Sequence, residues 1–497
     1  MIRITGELTI DELVAVARER EPVELSPQAR DRIEDSRDAV EDIIDGDNRV
    51  YGVNTGFGDL QSVSISRDDL DSLQENLLRS HATAVGDPLP TDVVRAAMLV
   101  RANALSVGVS GVRVELVEQF LALLNEGVHP VVPATGSTDD LGAAAHIGLV
   151  LMGEGEAEMG GETFDGSVAL AEANVEPLDP RAKEGLSAVS GTPIMTALLA
   201  LAVEDTERLV RTADLAGAWT FELLGEAPTA FAERVSGVRP YDGHAASAAN
   251  VRRLVSATPE GDHQMTQDPL SLRCIPQIHG AVREQLDFAR HVVETELRSA
   301  TDNPLVFPDG ETFSCGNFNG QQVAAAADML TTAIQKVGRV SERRADKLVS
   351  DVGSEGVADF LAADPGLESG LMIAHYTATG LVTELETTAP ASGRSVTVSG
   401  GQEDIHSLGT IAARELTDTV ETVQQVLAVE LLCAARRSEL VDSDLSPPLD
   451  AVATELDDAV GLPLADVSLH EEIRETAALA DEGRFARIAE GTGTELA

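Results

Sequence analysis

Five short segments of the chain carry side chains able to move a proton or hold a carboxylate. Tyr51-Gly-Val-Asn-Thr-Gly-Phe-Gly sets one of only three tyrosines ahead of Gly52, Gly56 and Gly58. Glycines at that density let a loop fold sharply, and a tyrosine of depressed pKa can serve as general base. An aromatic anchoring a flexible loop is the plainer reading of the same residues. Arg79-Ser80-His81 adds an imidazole, with a purely structural histidine as the alternative. In Gln267-Asp-Pro-Leu-Ser-Leu-Arg273, the guanidinium of Arg273 offers a planar fork suited to a carboxylate, although a surface ion pair would use it as well. Gly316-Asn-Phe-Asn-Gly320 presents Phe318 on a turn-rich segment, and Gly401-Gln-Glu403-Asp404 brings two acids to the approach of a helix. Asp404 or Ser407 could cap that helix, which leaves Glu403 the freer carboxylate.

These segments need a scaffold, and the pattern around them is helical. Val282, Leu286, Ala289, Val293 and Leu297 recur at three- and four-residue steps between residues 281 and 300, one apolar stripe of a helix. Alanine-rich residues 320–350 and the run from about Thr410 to Leu440 predict two more long helices. Thr192-Pro193 opens a fourth, with proline where its missing N–H costs nothing. Helices of this length predict an all-α fold built on a long helix bundle. The first 190 residues are shorter pieces broken by glycine-rich loops. The expected organisation is a loop-rich N-terminal region, 1–195, and a long-helix bundle with an acidic C-terminal segment, 196–497.

Composition bounds the partners. The 497 residues hold 84 acids against 36 bases, a net charge of −48, and only three of the bases are lysines. Such a surface repels nucleic acid and anionic membranes. It suits a chain that stays soluble in molar salt, where the Debye length shrinks to about 3 Å, and a halophilic protein is expected. Three scattered cysteines make no disulfide framework or metal knuckle. The N-terminus lacks the charged and apolar blocks of a signal peptide. The longest uncharged run, 185–203, contains Ser187, Ser190, Gly191 and Pro193 and reads as a loop entering a helix. A cytoplasmic protein without metal or nucleotide follows, since no HExxH, CxxC or GxxxxGK[ST] motif occurs.

Taken in order, the segments carry a resemblance. VYGVNTGFG at 50–58, ENLLRSHATAVGDPL at 75–89, RANALSVGVSGVR at 101–113, SLRCIPQIHGA at 271–281, ATDNPLVF at 300–307 and QEDIHSLGTIAAREL at 402–416 are colinear with the histidine ammonia-lyase branch of the aromatic amino acid lyases. The resemblance implies a fumarase/aspartase-like superfold, a homotetramer with sites shared between subunits, and conversion of L-histidine to urocanate and ammonia. It also implies an internal electrophile, 4-methylideneimidazol-5-one, formed when an Ala-Ser-Gly triad cyclises and loses water. In that setting Tyr51 resembles the base, Arg273 the carboxylate clamp and Glu403 the acid facing the imidazole or amine. His81 resembles the substrate-selecting position, and Phe318 and Gln267 lie in matching pocket segments.

The chain departs from the pattern at the chemistry. Where the family has the triad, this sequence reads Ser137-Thr138-Asp139. Ser137 is tolerable because only its carbonyl reacts. Thr138 would leave an extra methyl on the carbon that takes the amine. Asp139 puts a Cβ at the cyclising nitrogen, where the tight approach calls for glycine. The family's oxygen-steadying asparagine is Ser190, its second tyrosine is Leu270, and Asn319 and His375 replace two further residues. The electrophile is therefore not expected to form. Three readings stay open: a histidine ammonia-lyase, a non-catalytic paralogue that binds an amino acid or partners an active lyase, and an enzyme repurposed to work without the electrophile.

Overall fold

The computed structural model describes residues 1–46, 49–225, 228–256, 267–350, 357–441 and 443–497. Four long helices dominate: Pro193–Leu224, Ile275–Glu296, Gln321–Ser350 and Gly409–Leu440. The all-α bundle expected from periodicity is thus present. Val282, Ala289 and Val293 are fully buried and Leu286 nearly so, as a single stripe requires. That helix begins at Ile275, earlier than the stripe alone indicates, because Pro276 sits in its first turn where no N–H is needed. The apolar window within 184–224, long enough to cross a membrane, is buried throughout.

The chain divides into two compact units. One comprises Met1–Leu201, Ala289–Asp328 and Pro390–Arg414; the other comprises Ala202–Phe288, Met329–Ala389 and Glu415–Ala497. The loop-rich region therefore takes in two later segments of sequence, including Phe318 and Glu403.

In the first unit, short helices are fixed by small sheets. Thr9 and Glu12 form a reciprocal capping box on Ile10–Ala17. Val85–Pro88 pairs antiparallel with Pro133–Thr135, with Val85 opposite Thr135. This pairing sets the end of the Leu70–His81 helix beside the segment that begins at Gly136. The Thr91–Leu105 helix is buried nearly all round, and it carries Arg95, whose guanidinium donates to the carbonyls of Val16, Ala17 and Leu124. Arg95 Nη1 lies 3.1 Å from His129 Nε2. Burial and the neighbouring Arg95 lower the His129 pKa to about 4. A depressed histidine stabilises the fold fully above its unfolded pKa of about 6.5 and loses that contribution as pH falls through 4. The thermal midpoint should accordingly drop between pH 6.5 and 4, and His129→Gln should flatten that part of the profile.

The second unit holds its helices with buried ion pairs. Arg344 grips Glu430 through Nε at 2.5 Å and Nη2 at 2.8 Å, and the Thr220 hydroxyl donates to the same carboxylate at 2.7 Å. Asp214, fully buried, accepts from His279, Arg283 and Asn250. Desolvation opposes its charge, but these donors prevail and lower its pKa to about 2.

Candidate active site

A cavity of about 350 Å³ in the first unit is lined by Tyr51, His81, Ser137, Thr138, Asp139, Ser190, Phe318 and Glu403, together with Thr83, Asp140, Asn303 and His406. Eight of the ten residues singled out from the sequence meet here. Arg273 and Gln267 belong to the second unit. Arg273 ends the short helix Leu270–Arg273, and its Nε is buried without a hydrogen-bond partner among the described residues.

Tyr51 is placed by its own loop. The Gly58 N–H donates to the phenol oxygen at 3.3 Å, and Phe57 packs edge-on against the ring. Gly58 has φ +53, and a Cβ there would stand 2.5 Å from Ser399 Oγ. Glycine is thus required where the tyrosine loop approaches the 398–403 turn. That turn closes on itself through Val398 N–H to the Glu403 carbonyl at 2.9 Å, which fixes where Glu403 begins. Burial raises the Tyr51 pKa, the Gly58 N–H opposes this, and the nearby Glu403 charge adds to it. The loop therefore favours a neutral phenol, the reverse of the depressed pKa that a resting base would need.

His81 closes the Leu70–His81 helix, with Nδ1 2.8 Å from the Leu77 carbonyl and 3.1 Å from Ser80 Oγ. A carbonyl only accepts, so Nδ1 carries a proton, and in the neutral tautomer the lone pair is on Nε2. Ser190 ends the turn after Glu184–Val189, its N–H on the Leu186 carbonyl at 2.8 Å. Beneath this turn lies a buried cluster. Lys183 Nζ donates to Asp302 Oδ2 at 2.9 Å and to Ser187 Oγ at 2.8 Å, and Arg101 Nη2 stands 3.7 Å from Asp302 Oδ1. Lys183 is held at φ +77, in the left-handed region. Desolvation lowers the Lys183 pKa, countered by Asp302.

The 137–139 segment is built around its acid. Asp139 Oδ2 is 2.8 Å from His406 Nδ1, and its other oxygen accepts from the Ser407 hydroxyl. Thr138 Oγ1 lies 3.3 Å from the same His406 nitrogen, and Ser137 Oγ donates to the Asp139 carbonyl. Asp140, next in sequence, is buried. It accepts from Ile194 N–H at 2.6 Å, Met195 N–H at 3.2 Å and the Thr410 hydroxyl at 2.6 Å. It therefore serves the first turn of Pro193–Leu224 as a cap supplied from elsewhere in the chain. Desolvation pushes its pKa up to about 7 against those donors.

His406 carried no assigned role from sequence. The signal was present at position 139, because a carboxylate in a pocket calls for donors, but the partner lies 267 residues away. A literal Ala-Ser-Gly run also occurs at 391–393. It does not line the cavity: the Ser392 N–H donates to Asp328 at 2.7 Å and its carbonyl accepts from Gln321 at 3.1 Å.

Comparison with known proteins agrees with this picture. The family model described as "Aromatic amino acid lyase" matches residues 8–458. Histidine ammonia-lyase of Symbiobacterium thermophilum is 42% identical across 100% of this chain and 99% of its own length. The crystal structure of tyrosine aminomutase from Streptomyces globisporus superposes with a TM-score of 0.94 at 34% identity, covering 100% of both chains. That of histidine ammonia-lyase from Trypanosoma cruzi does so with a TM-score of 0.91 at 35% identity, covering 99% of this chain and 95% of that one. With the fold, the cavity and these likenesses in agreement, the chain belongs to the aromatic amino acid lyase family, whose ammonia-lyase members break carbon–nitrogen bonds.

Proposed function

We propose that the cavity takes L-histidine and that the chain is laid out for the reaction in its relatives' names, loss of ammonia from histidine to give urocanate, but lacks the electrophile that drives it. The observation that carries the substrate reading is the convergence of Tyr51, His81, Phe318 and Glu403 on one cavity. For Arg273 and Gln267, which belong to the second unit, the resemblance implies a carboxylate clamp and a pocket residue in sites shared between subunits.

Residues 137–139 do not fit 4-methylideneimidazol-5-one. Cyclisation needs the amide nitrogen of residue 139 to reach the carbonyl carbon of residue 137. Here that nitrogen belongs to a residue with a Cβ, and its side chain is tied to His406 and Ser407. Freeing it would strand two donors in a largely buried site, an unfavourable exchange of about 1–3 kcal/mol. Ser190, where the family has an asparagine, weakens the surroundings further. The removal of one oxyanion donor alone slows an enzyme about 10²–10³-fold, so turnover should be slower than that of a complete lyase by at least this much. Histidine binding measured by calorimetry in molar salt, beside urocanate absorbance, tests the reading. Binding with little or no urocanate is expected. Urocanate at ordinary lyase rates would overturn the disabled step, and absence of binding would overturn the substrate.

We further infer a soluble, cytoplasmic, salt-adapted homotetramer. Leu270, Ile373 and Tyr376 are each more than half exposed, which suits burial between copies. A net charge of −48 resists assembly unless it is screened. Light scattering should give four times 52.3 kDa in molar potassium chloride and smaller species on dilution of the salt.

A further inference from the structure

We propose that Asp139 and His406 form an acid–base pair that receives the amino group of the ligand, holding it as a hydrogen-bonded, ion-paired ammonium in place of a covalent adduct. This rests on the reading that the cavity takes an amino acid. Both residues line the cavity, and their side chains keep 20% and 11% exposure. Asp139 can only accept, so in the neutral imidazole the proton sits on Nδ1 and points to Oδ2. Nε2 is then the acceptor, and it has no hydrogen-bond partner among the described residues. A lone pair shielded from water and left unused is unfavourable, and an ammonium N–H would satisfy it once the His406 ring, 11% exposed, turns enough to uncover that nitrogen.

Orientation is set by the surrounding turn. The His406 N–H donates to Ser395 Oγ at 2.8 Å, and Ser407, which donates to Asp139, accepts from Gly409 N–H at 3.3 Å. The carboxylate is thus held before any ligand arrives, and its charge favours a positive ligand beside it. The other charges around the cavity agree. Glu403 is an acid, and no lysine or arginine is among its described lining residues. An amine is the group such a lining selects.

Calorimetry on the full chain in molar salt, with L-histidine and with 3-(imidazol-4-yl)propionate, isolates the amine, since the second ligand differs only in lacking it. The intact protein should prefer histidine by about tenfold or more, the scale of a hydrogen bond to a charged group. Asp139→Asn and His406→Gln should each abolish that preference. The two variants disturb the site differently, so one remains informative if the other fails to fold. A preference that survives in the folded variants, or none in the intact protein, overturns the assignment. An intact protein that binds neither ligand overturns the histidine reading on which it depends.

Discussion

Combining Ser137→Ala, Thr138→Ser and Asp139→Gly should yield a chain lighter by two waters that makes urocanate from histidine about a hundredfold faster than the natural sequence, or more. The reasoning is geometric. Glycine removes the Cβ at the cyclising nitrogen and releases the segment from His406 and Ser407. Serine gives a dehydration product without the extra methyl. Tyr51 and Glu403 line the cavity beside the triad position. The neutral phenol favoured by Tyr51's surroundings implies that activity of this variant should rise with pH. A variant of full mass with the natural rate would show that Ser190 or another departure, rather than residue 139, controls the chemistry.

Asp302→Asn should be among the most damaging single changes to stability. Asp302 is 1% exposed and faces Lys183, fully buried, and Arg101, 2% exposed. Removing its charge leaves two cations in a dry environment, and breaking a buried pair from one side costs about 3–5 kcal/mol. The loss should appear as a lower thermal midpoint in molar salt. Lys183→Met together with Asp302→Asn should recover part of it, because only Arg101 then loses its nearest counter-charge. The same cluster underlies Ser187, three residues before Ser190, so the single variant should also weaken histidine binding. No recovery in the double variant would mean that the two residues do not act as a pair.

Helices were the most legible part of the sequence. The stripe from Val282 to Leu297 and the proline at 193 depend on local spacing and capping, which a single chain displays openly. Some candidates stand out by residue type and others, Ser137, Thr138, Asp139 and Ser190 among them, only through the resemblance; eight share the cavity. Other features depend on distant parts of the chain. Asp140 reads as an ordinary acid, yet it caps a helix that starts over fifty residues later. Asp139 reads as the loss of a glycine. Its gain, a fixed carboxylate–imidazole pair, depends on the turn that carries His406. The unit that houses the site is assembled from three separate stretches of sequence, and no local pattern announces such a division.

The most direct test is the intact mass of the purified natural chain, kept in molar salt until it is denatured for measurement. A mass equal to that of the unmodified sequence is predicted, with residues 137–139 an ordinary linear peptide. A mass lower by two waters, traced by peptide mapping to Ser137-Thr138-Asp139, would contradict it and restore a covalent electrophile to the cavity.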